Sequence, residues 1–352
     1  MGWLYALEER VCRKFSGLDI PVRSKGTDVQ LSYICRLICL ALFSSGILQI
    51  VFEMAAWALS PVLTNIDSDH ARRREKILFR LALFVRTAPH LLVLCFLLPA
   101  YIRGEDNLAA ERVGVICIGF AAVVLLRSLS GLVHLLRGMR KTGRYCSVCH
   151  QVGRTAEGVP ILLHSGNQPL LAVAGLFSSR ILISRELLDR SRFSDMALDV
   201  ALAHEGAHAR HRDNLKAGLL SILPHISFGS GGVSSLERQW RLAAELAADE
   251  EGAQGRPERS VLLAEMLVAL ARENRRAMPH MLTTLLSRGE DLRVRVDRLL
   301  RRAEGNTLVK ANLRERLPTA FAAVTHAGVL AMLAYSCGRL GHEAAEFILK
   351  LG

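Results

Sequence analysis

The sequence predicts an α+β domain, mostly helical with a small sheet, embedded among about four transmembrane helices. Three observations lead there. Four long apolar segments punctuate the chain, residues 137–316 between the third and fourth have ordinary polarity, and that stretch holds short strand-like runs followed by helical patterns. Across 352 residues, 51% are apolar and mean hydropathy is +0.25, yet 22% are charged. A disordered chain could not bury that much apolar surface, and an ordinary soluble globule would spread it more evenly. The net charge of +12 suits anionic lipid or nucleic acid. Lys and Arg are scattered, aromatics make up only 6%, and no nucleic-acid fold signature occurs, so the expected partner is the lipid bilayer and not nucleic acid.

Residues 1–28 carry Trp3, Leu4, Leu7, Val11, Phe15 and Leu18 at roughly helical spacing, with Glu8, Glu9, Arg13 and Lys14 between them. That pattern predicts an amphipathic arm at the membrane surface. No cleavage site of small residues follows it, so no removable signal peptide is expected. Residues 29–136 form the membrane domain, with spans at Leu31–Leu59, Leu81–Ile102 and Val113–Leu136. A fourth span, Leu317–Leu340, follows the soluble domain and leaves a short tail, 341–352. Each segment reaches the ~20 residues a bilayer requires. Arg86 and Arg127 must snorkel or face protein, and Glu53 needs a partner such as one of them. Cys35, Cys39, Cys95, Cys117 and Cys337 lie in apolar stretches, where cysteine behaves as a small hydrophobe and not as part of a secreted disulfide framework.

Positive charge clusters beside three segment ends: Arg72, Arg73, Arg74 and Lys76; Arg137, Arg140, Lys141 and Arg144; Lys310, Arg314 and Arg316. By the positive-inside rule these ends are cytoplasmic, which places the protein as multi-pass in the inner (plasma) membrane with its soluble domain in the cytoplasm. The basic residues of the arm are the exception to that pattern. Within 137–316, strands are predicted at Val159–His164, Leu170–Ala174 and Arg180–Ser184. Helices are predicted at Asp195–Lys216, Ser235–Glu251, Pro257–Arg276 and Asp291–Arg302.

The chemistry sits at His204-Glu205-Gly206-Ala207-His208, which spells H-E-x-x-H inside a strongly helix-forming run. Histidines four apart stack on one helix face, so both imidazoles reach one Zn²⁺ while Glu205 stands ready to take a proton from the metal-bound water. Gly206 weakens the helix by about 1 kcal/mol relative to Ala. A catalytic zinc needs a third protein ligand and an open position. Glu245, in Glu245-Leu246-Ala247-Ala248-Asp249, can complete a His₂Glu set, and Asp249 one turn later can orient a ligating histidine. Asp213 either braces the first helix from its C-terminal side or is a solvated turn residue. The oxyanion needs a second donor, for which His225, His280 and Arg293 are candidates. The strand region 170–184 offers an edge for an extended substrate.

These residues resemble the BlaR/MecR-type integral-membrane zinc metallopeptidases. The similarity runs through His204 to Asp213, Glu245 to Asp249, the strand region Pro169 to Ser184 and the late Leu292-Arg293-Val294-Arg295-Val296-Asp297-Arg298-Leu299-Leu300. The order of three spans, a peptidase domain and one closing span is also similar. The resemblance implies a gluzincin, zincin-like fold, with His204, His208 and Glu245 as zinc ligands and Glu205 as base. It implies a protein or peptide substrate, either a transcriptional repressor or the chain itself, and leaves self-association into a homo-oligomer open. Gly206 stands where the family usually has a bulky aliphatic. Only about a dozen residues follow the fourth span, so the penicillin-binding sensor domain of the best-known members is not expected. HtpX-like and CAAX-processing membrane peptidases share the zinc pattern, and a non-catalytic transducer with a structural zinc site is the alternative from another class. Cys146-Ser147-Val148-Cys149-His150 matches the haem-attachment pattern, half a small zinc site, or simply two reduced cysteines in a linker.

Overall fold

The first three apolar segments form helices longer than their hydrophobic stretches. In the computed structural model, residues 28–29, 33–64, 71–104, 113–164, 170–188, 193–223, 235–273, 283–284, 289–305 and 348 are described. The amphipathic arm up to residue 27 and the fourth span at 317–340 lie outside the described residues. In chain order the elements are β1 (Asp28–Val29), α1 (Tyr33–Thr64), α2 (Ala71–Leu92), α3 (Leu98–Gly104), β2 (Val113–Gly114), α4 (Val115–Ser147), β3 (His150–Arg154), β4 (Pro160–His164), β5 (Leu171–Ala174) and β6 (Arg180–Ser184). They continue with α5 (Asp195–His211), α6 (Asp213–Ile222), α7 (Ser235–Ala253), α8 (Pro257–Glu273), β7 (Thr283–Thr284) and α9 (Gly289–Ala303).

Among the described residues, three helical stretches are long and apolar enough to cross a membrane: Tyr33–Leu59, Ala71–Arg103 and Val115–Ser147. The second begins ten residues before the apolar run starts at Leu81, and the third continues well past Leu136. Charged residues are good helix formers, so the helix does not stop where hydrophobicity does. Pro89, which cannot donate to the ladder, is carried inside α2, and a π-helical turn at Val93–Leu97 links α2 to α3.

The chain divides into two compact units. One comprises Met1–Ile50, Ala88–Leu126 and Ala320–Gly352. Its described core gathers Leu40, Phe43, Tyr101, Val113 and Cys117, with Phe43 and Phe120 meeting edge-on at 5.1 Å between ring centroids. Val115, Ile116 and Val123 face outward from α4, as expected of a lipid-facing surface.

The other unit comprises Val51–Thr87 and Arg127–Thr319, and so reaches further than the 137–316 read from polarity. Its five-stranded sheet has the order β3-β4-β6-β5-β7, antiparallel except for the parallel β4–β6 pair. Leu171, Val173, Ile181 and Ile183 pack on Val200 and Ala201 of α5, Leu263, Leu267 and Leu270 of α8, and Leu299 of α9. The alternate residues Leu170, Ala172, Ala174 and Leu182 bury with Cys146 on the opposite face. Both faces of β5 and β6 are therefore covered, which is why these runs are apolar throughout instead of alternating. The head of α2 joins this unit through Leu78, Ala82 and Val85, which pack on Leu220, Leu236 and Trp240.

Two sequence expectations change. The single helix Asp195–Lys216 is two, because Arg212 adopts a left-handed conformation (φ 52°, ψ 43°) that ends α5 and immediately starts α6. Arg86, offered with Arg127 as a partner for Glu53, donates to the Glu237 carboxylate at 2.6 Å and to the Leu220 carbonyl, while Arg127 is exposed.

Candidate metal centre

Local sequence fixes α5 at both ends. The Ser194 hydroxyl accepts from the Ala197 N–H at 3.1 Å and Asp195 occupies the first turn, which together cap the N-terminus. At the other end, the N–H of left-handed Arg212 donates to the His208 and Ala209 carbonyls. Residues 204–209 are all buried. The two imidazoles lie one turn apart, with Nε2 of His204 and Nε2 of His208 separated by 3.2 Å.

Helix α7 supplies the third group. Glu245 Oε2 is 3.7 Å from His204 Nε2 and Glu245 Oε1 is 3.8 Å from His208 Nε2. In a tetrahedral site with bonds of about 2.0–2.2 Å, ligand atoms stand roughly 3.4 Å apart. The three observed separations bracket that spacing, and among the described residues this is the group of His, Cys, Asp and Glu side chains arranged to hold a metal ion. Close approach of α7 to α5 depends on Gly252. A Cβ there would lie 3.2 Å from His204 Cβ and the Val200 carbonyl oxygen, and 3.3 Å from the His204 nitrogen.

Each histidine is oriented from behind. Asp213 Oδ2 is 2.8 Å from His208 Nδ1, and Asp249 Oδ1 is 3.0 Å from His204 Nδ1. These carboxylates favour a proton on Nδ1 and leave Nε2 free toward the metal position. The short break at Arg212 is what returns Asp213 to His208, five residues back.

Arg295 of α9 is the residue that sequence reasoning left without a role. It is fully buried and forks onto Asp249, with Nε to Oδ2 at 2.8 Å and Nη2 to Oδ1 at 2.7 Å. Its Nη1 reaches Glu245 Oε2 at 2.8 Å. One guanidinium thus fixes both carboxylates of the E-x-x-x-D segment. Arg293, the oxyanion candidate on the same helix, has an 85% exposed side chain that faces Asp297, because two residues along a helix point to different sides. His225 and His280 lie outside the described residues.

Glu205 is fully buried, and no side chain donates a hydrogen bond to either carboxylate oxygen among the described residues. Burial pushes it up to about 8, helped by the Glu245 charge and opposed by His208, the Val173 main chain and Arg295. Burial also lowers His204 despite its Asp249 partner. For His208 burial acts downward too, but Glu245 and Asp213 outweigh it and hold the ring well above its usual range. Asp213 is driven down to about 2: burial opposes this, and His208 and Lys216 prevail.

Strand β5 passes beside the site. Asn214 holds its end through bonds to the Val173 and Gly175 carbonyls at 2.9 and 3.2 Å. The outer edge of β5 that the sequence offered to a substrate is paired to β7 at Ala172 and Val173. The C-x-x-C-H segment forms no metal group among the described residues: Cys146 is buried under the sheet and the Cys149 thiol donates to the Tyr145 carbonyl at 3.2 Å.

Among the described residues, fold and site define a mostly helical chain with three potential membrane-crossing helices and a His-His-Glu group spaced to hold a metal. No protein-family model matches the chain, and no curated protein is significantly similar to it.

Proposed function

We propose that the chain is a membrane-bound zinc endopeptidase of zincin-like type, hydrolysing a protein substrate at the cytoplasmic face of the plasma membrane. The observation that carries it is Glu205, a fully buried carboxyl with no side-chain donor bonded to it among the described residues, beside three groups spaced to hold one cation. Structural carboxylates at zero exposure are normally answered by donors, so an unanswered one invites a water or a substrate group. Among the described residues the group contains three protein ligands, which fits a catalytic site with an open position better than a closed structural brace.

Bound there by His204, His208 and Glu245, Zn²⁺ would supply Lewis acidity for a peptide carbonyl and its attacking water. The chain's own residues do the rest. Glu205, pushed toward neutral pH by burial, both accepts the proton of the attacking water and releases it to the departing amine. Asp213 and Asp249 keep the histidine ring nitrogens aimed inward, and Arg295 holds Glu245 and Asp249 in place. The substrate is an extended segment of a repressor or of the chain itself.

The test compares the purified wild type with Glu205→Gln for zinc content and for cleavage of casein or of itself. Zinc is expected in both and cleavage in the wild type alone. Equal cleavage by both, or no zinc in the wild type, refutes the proposal.

A further inference from the structure

Glu75 is a fully buried carboxylate near the start of α2, far in sequence from the metal-ligating groups. Three cationic or donor groups converge on it: Arg72 at 3.1 Å on Oε2, and Lys216 Nζ at 2.8 Å and Trp240 Nε1 at 3.0 Å on Oε1. Burying such a charge costs several kcal/mol unless partners answer it. Its packing role alone could be met by an apolar side chain among Leu78, Ala82 and Trp240. What the charge adds is a hold on Lys216.

Lys216 is the shared member. Its ammonium lies 2.8 Å from Glu75 Oε1 and 2.8 Å from Asp213 Oδ1, while the other Asp213 oxygen is bonded to His208 Nδ1. Both Asp213 oxygens are thus committed, which fixes the plane of that carboxylate and the ring it faces. A lysine side chain that is 18% exposed has solvent to swing into and much rotamer entropy to gain by doing so. With Glu75 in place, leaving Asp213 would also mean leaving a buried anion.

We propose that Glu75 is a positioning residue of the metal centre, acting through Lys216 and Asp213 to aim the His208 ring, so that the head of α2 is part of the machinery that holds the metal. The proposal rests on the metal-site reading and extends it to a helix that continues into a candidate membrane span. Arg72 and Trp240 hold Glu75 itself, so the chain of contacts ends in the α2–α7 packing.

The test is Co²⁺ affinity, followed by visible absorption, of the metal-stripped full chain in detergent, with thermal melts of the same samples. Glu75→Gln keeps shape and an oxygen for Trp240, and Lys216→Met alters a partly exposed residue, so at least one variant folds. Each is expected to weaken Co²⁺ binding about tenfold, the lower end for outer-shell partners, and the double variant no further than the weaker single. Leu263→Ala, a core truncation away from the relay, is expected to lower the melting temperature without changing Co²⁺ affinity. Wild-type affinity in Glu75→Gln, or losses that simply add in the double variant, overturns the proposal while leaving the metal site standing. A wild type that takes up no Co²⁺ overturns both.

Discussion

Replacing Gly206 with alanine should make the protein more stable, although this residue sits between the candidate ligands His204 and His208. A Cβ built there meets only Arg210 Nη1 at 3.6 Å, an ordinary contact with the end of a flexible side chain. The helix is regular at this position, so the substitution recovers about 0.5–1 kcal/mol of backbone propensity. For a unit of this size that raises the melting temperature by roughly 1–4 °C. Gly252→Ala is the matched comparison. Its Cβ would press on His204 and Val200 of α5 at 3.2 Å, where backbone cannot yield locally. Overpacking costs about 1–3 kcal/mol against about 1 kcal/mol of propensity gained, so the net effect is neutral to destabilising. Because α7 carries Glu245 and Asp249, Gly252→Ala should also weaken metal binding, which Gly206→Ala leaves alone. Differential scanning fluorimetry with and without chelator, plus a metal titration, separates the two. A melting temperature that falls in Gly206→Ala, or two alanines that behave alike, would refute this account of how α5 and α7 meet.

Two further outcomes follow from buried charge. Arg295→Met strands Asp249 and Glu245 without their shared cation and should cost about 3–5 kcal/mol in the metal-free protein, read by denaturant titration. Arg295→Lys should recover only part, since an ammonium cannot form the fork; a Met variant within 1 kcal/mol of wild type would show that the clamp contributes little. Burial would raise Glu251, but hydrogen bonds from His211 and Arg210 hold it at about 2. A lowered carboxylate stabilises above its unfolded pKa near 4.3, and that contribution is lost as pH falls toward 2. The stability gap between wild type and Glu251→Gln, of order 1 kcal/mol after solvent screening, should therefore be constant above about pH 5 and close below it. A gap independent of pH would sink the assignment.

What could be read in advance was whatever depends on spacing within one helix. His204, Glu205 and His208, and Glu245 with Asp249, announce themselves because four residues return to the same face. Arg295 was within reach by the same rule. It sits in the buried stripe Leu292, Val296 and Leu299 of an amphipathic helix, where a charge is out of place unless something answers it. What answers it lies 46 residues away, and no local pattern reveals that. The break at Arg212 was hidden because neither glycine nor proline marks it, the usual signs of a helix end. Strand β3, His150–Arg154, escaped notice because it is exposed almost throughout and shows no alternation. Arg293 was misplaced by proximity in sequence, which on a helix is not proximity in space.

The pairing of Arg86 with Glu237 also has a temporal side. Glu237 is 151 residues downstream, so at ribosomal rates of about 5–20 residues per second the arginine is made roughly 8–30 s before its counter-ion exists. An unpaired arginine at the centre of a nascent span carries an insertion penalty of about 2.5–3.5 kcal/mol. For a span inserted in lipid, the head of α2 would therefore wait outside until α7 emerges, and its docking onto Leu220, Leu236 and Trp240 would be a late step of biogenesis. Truncating the chain before residue 237 would expose that order as a span that fails to hold its place.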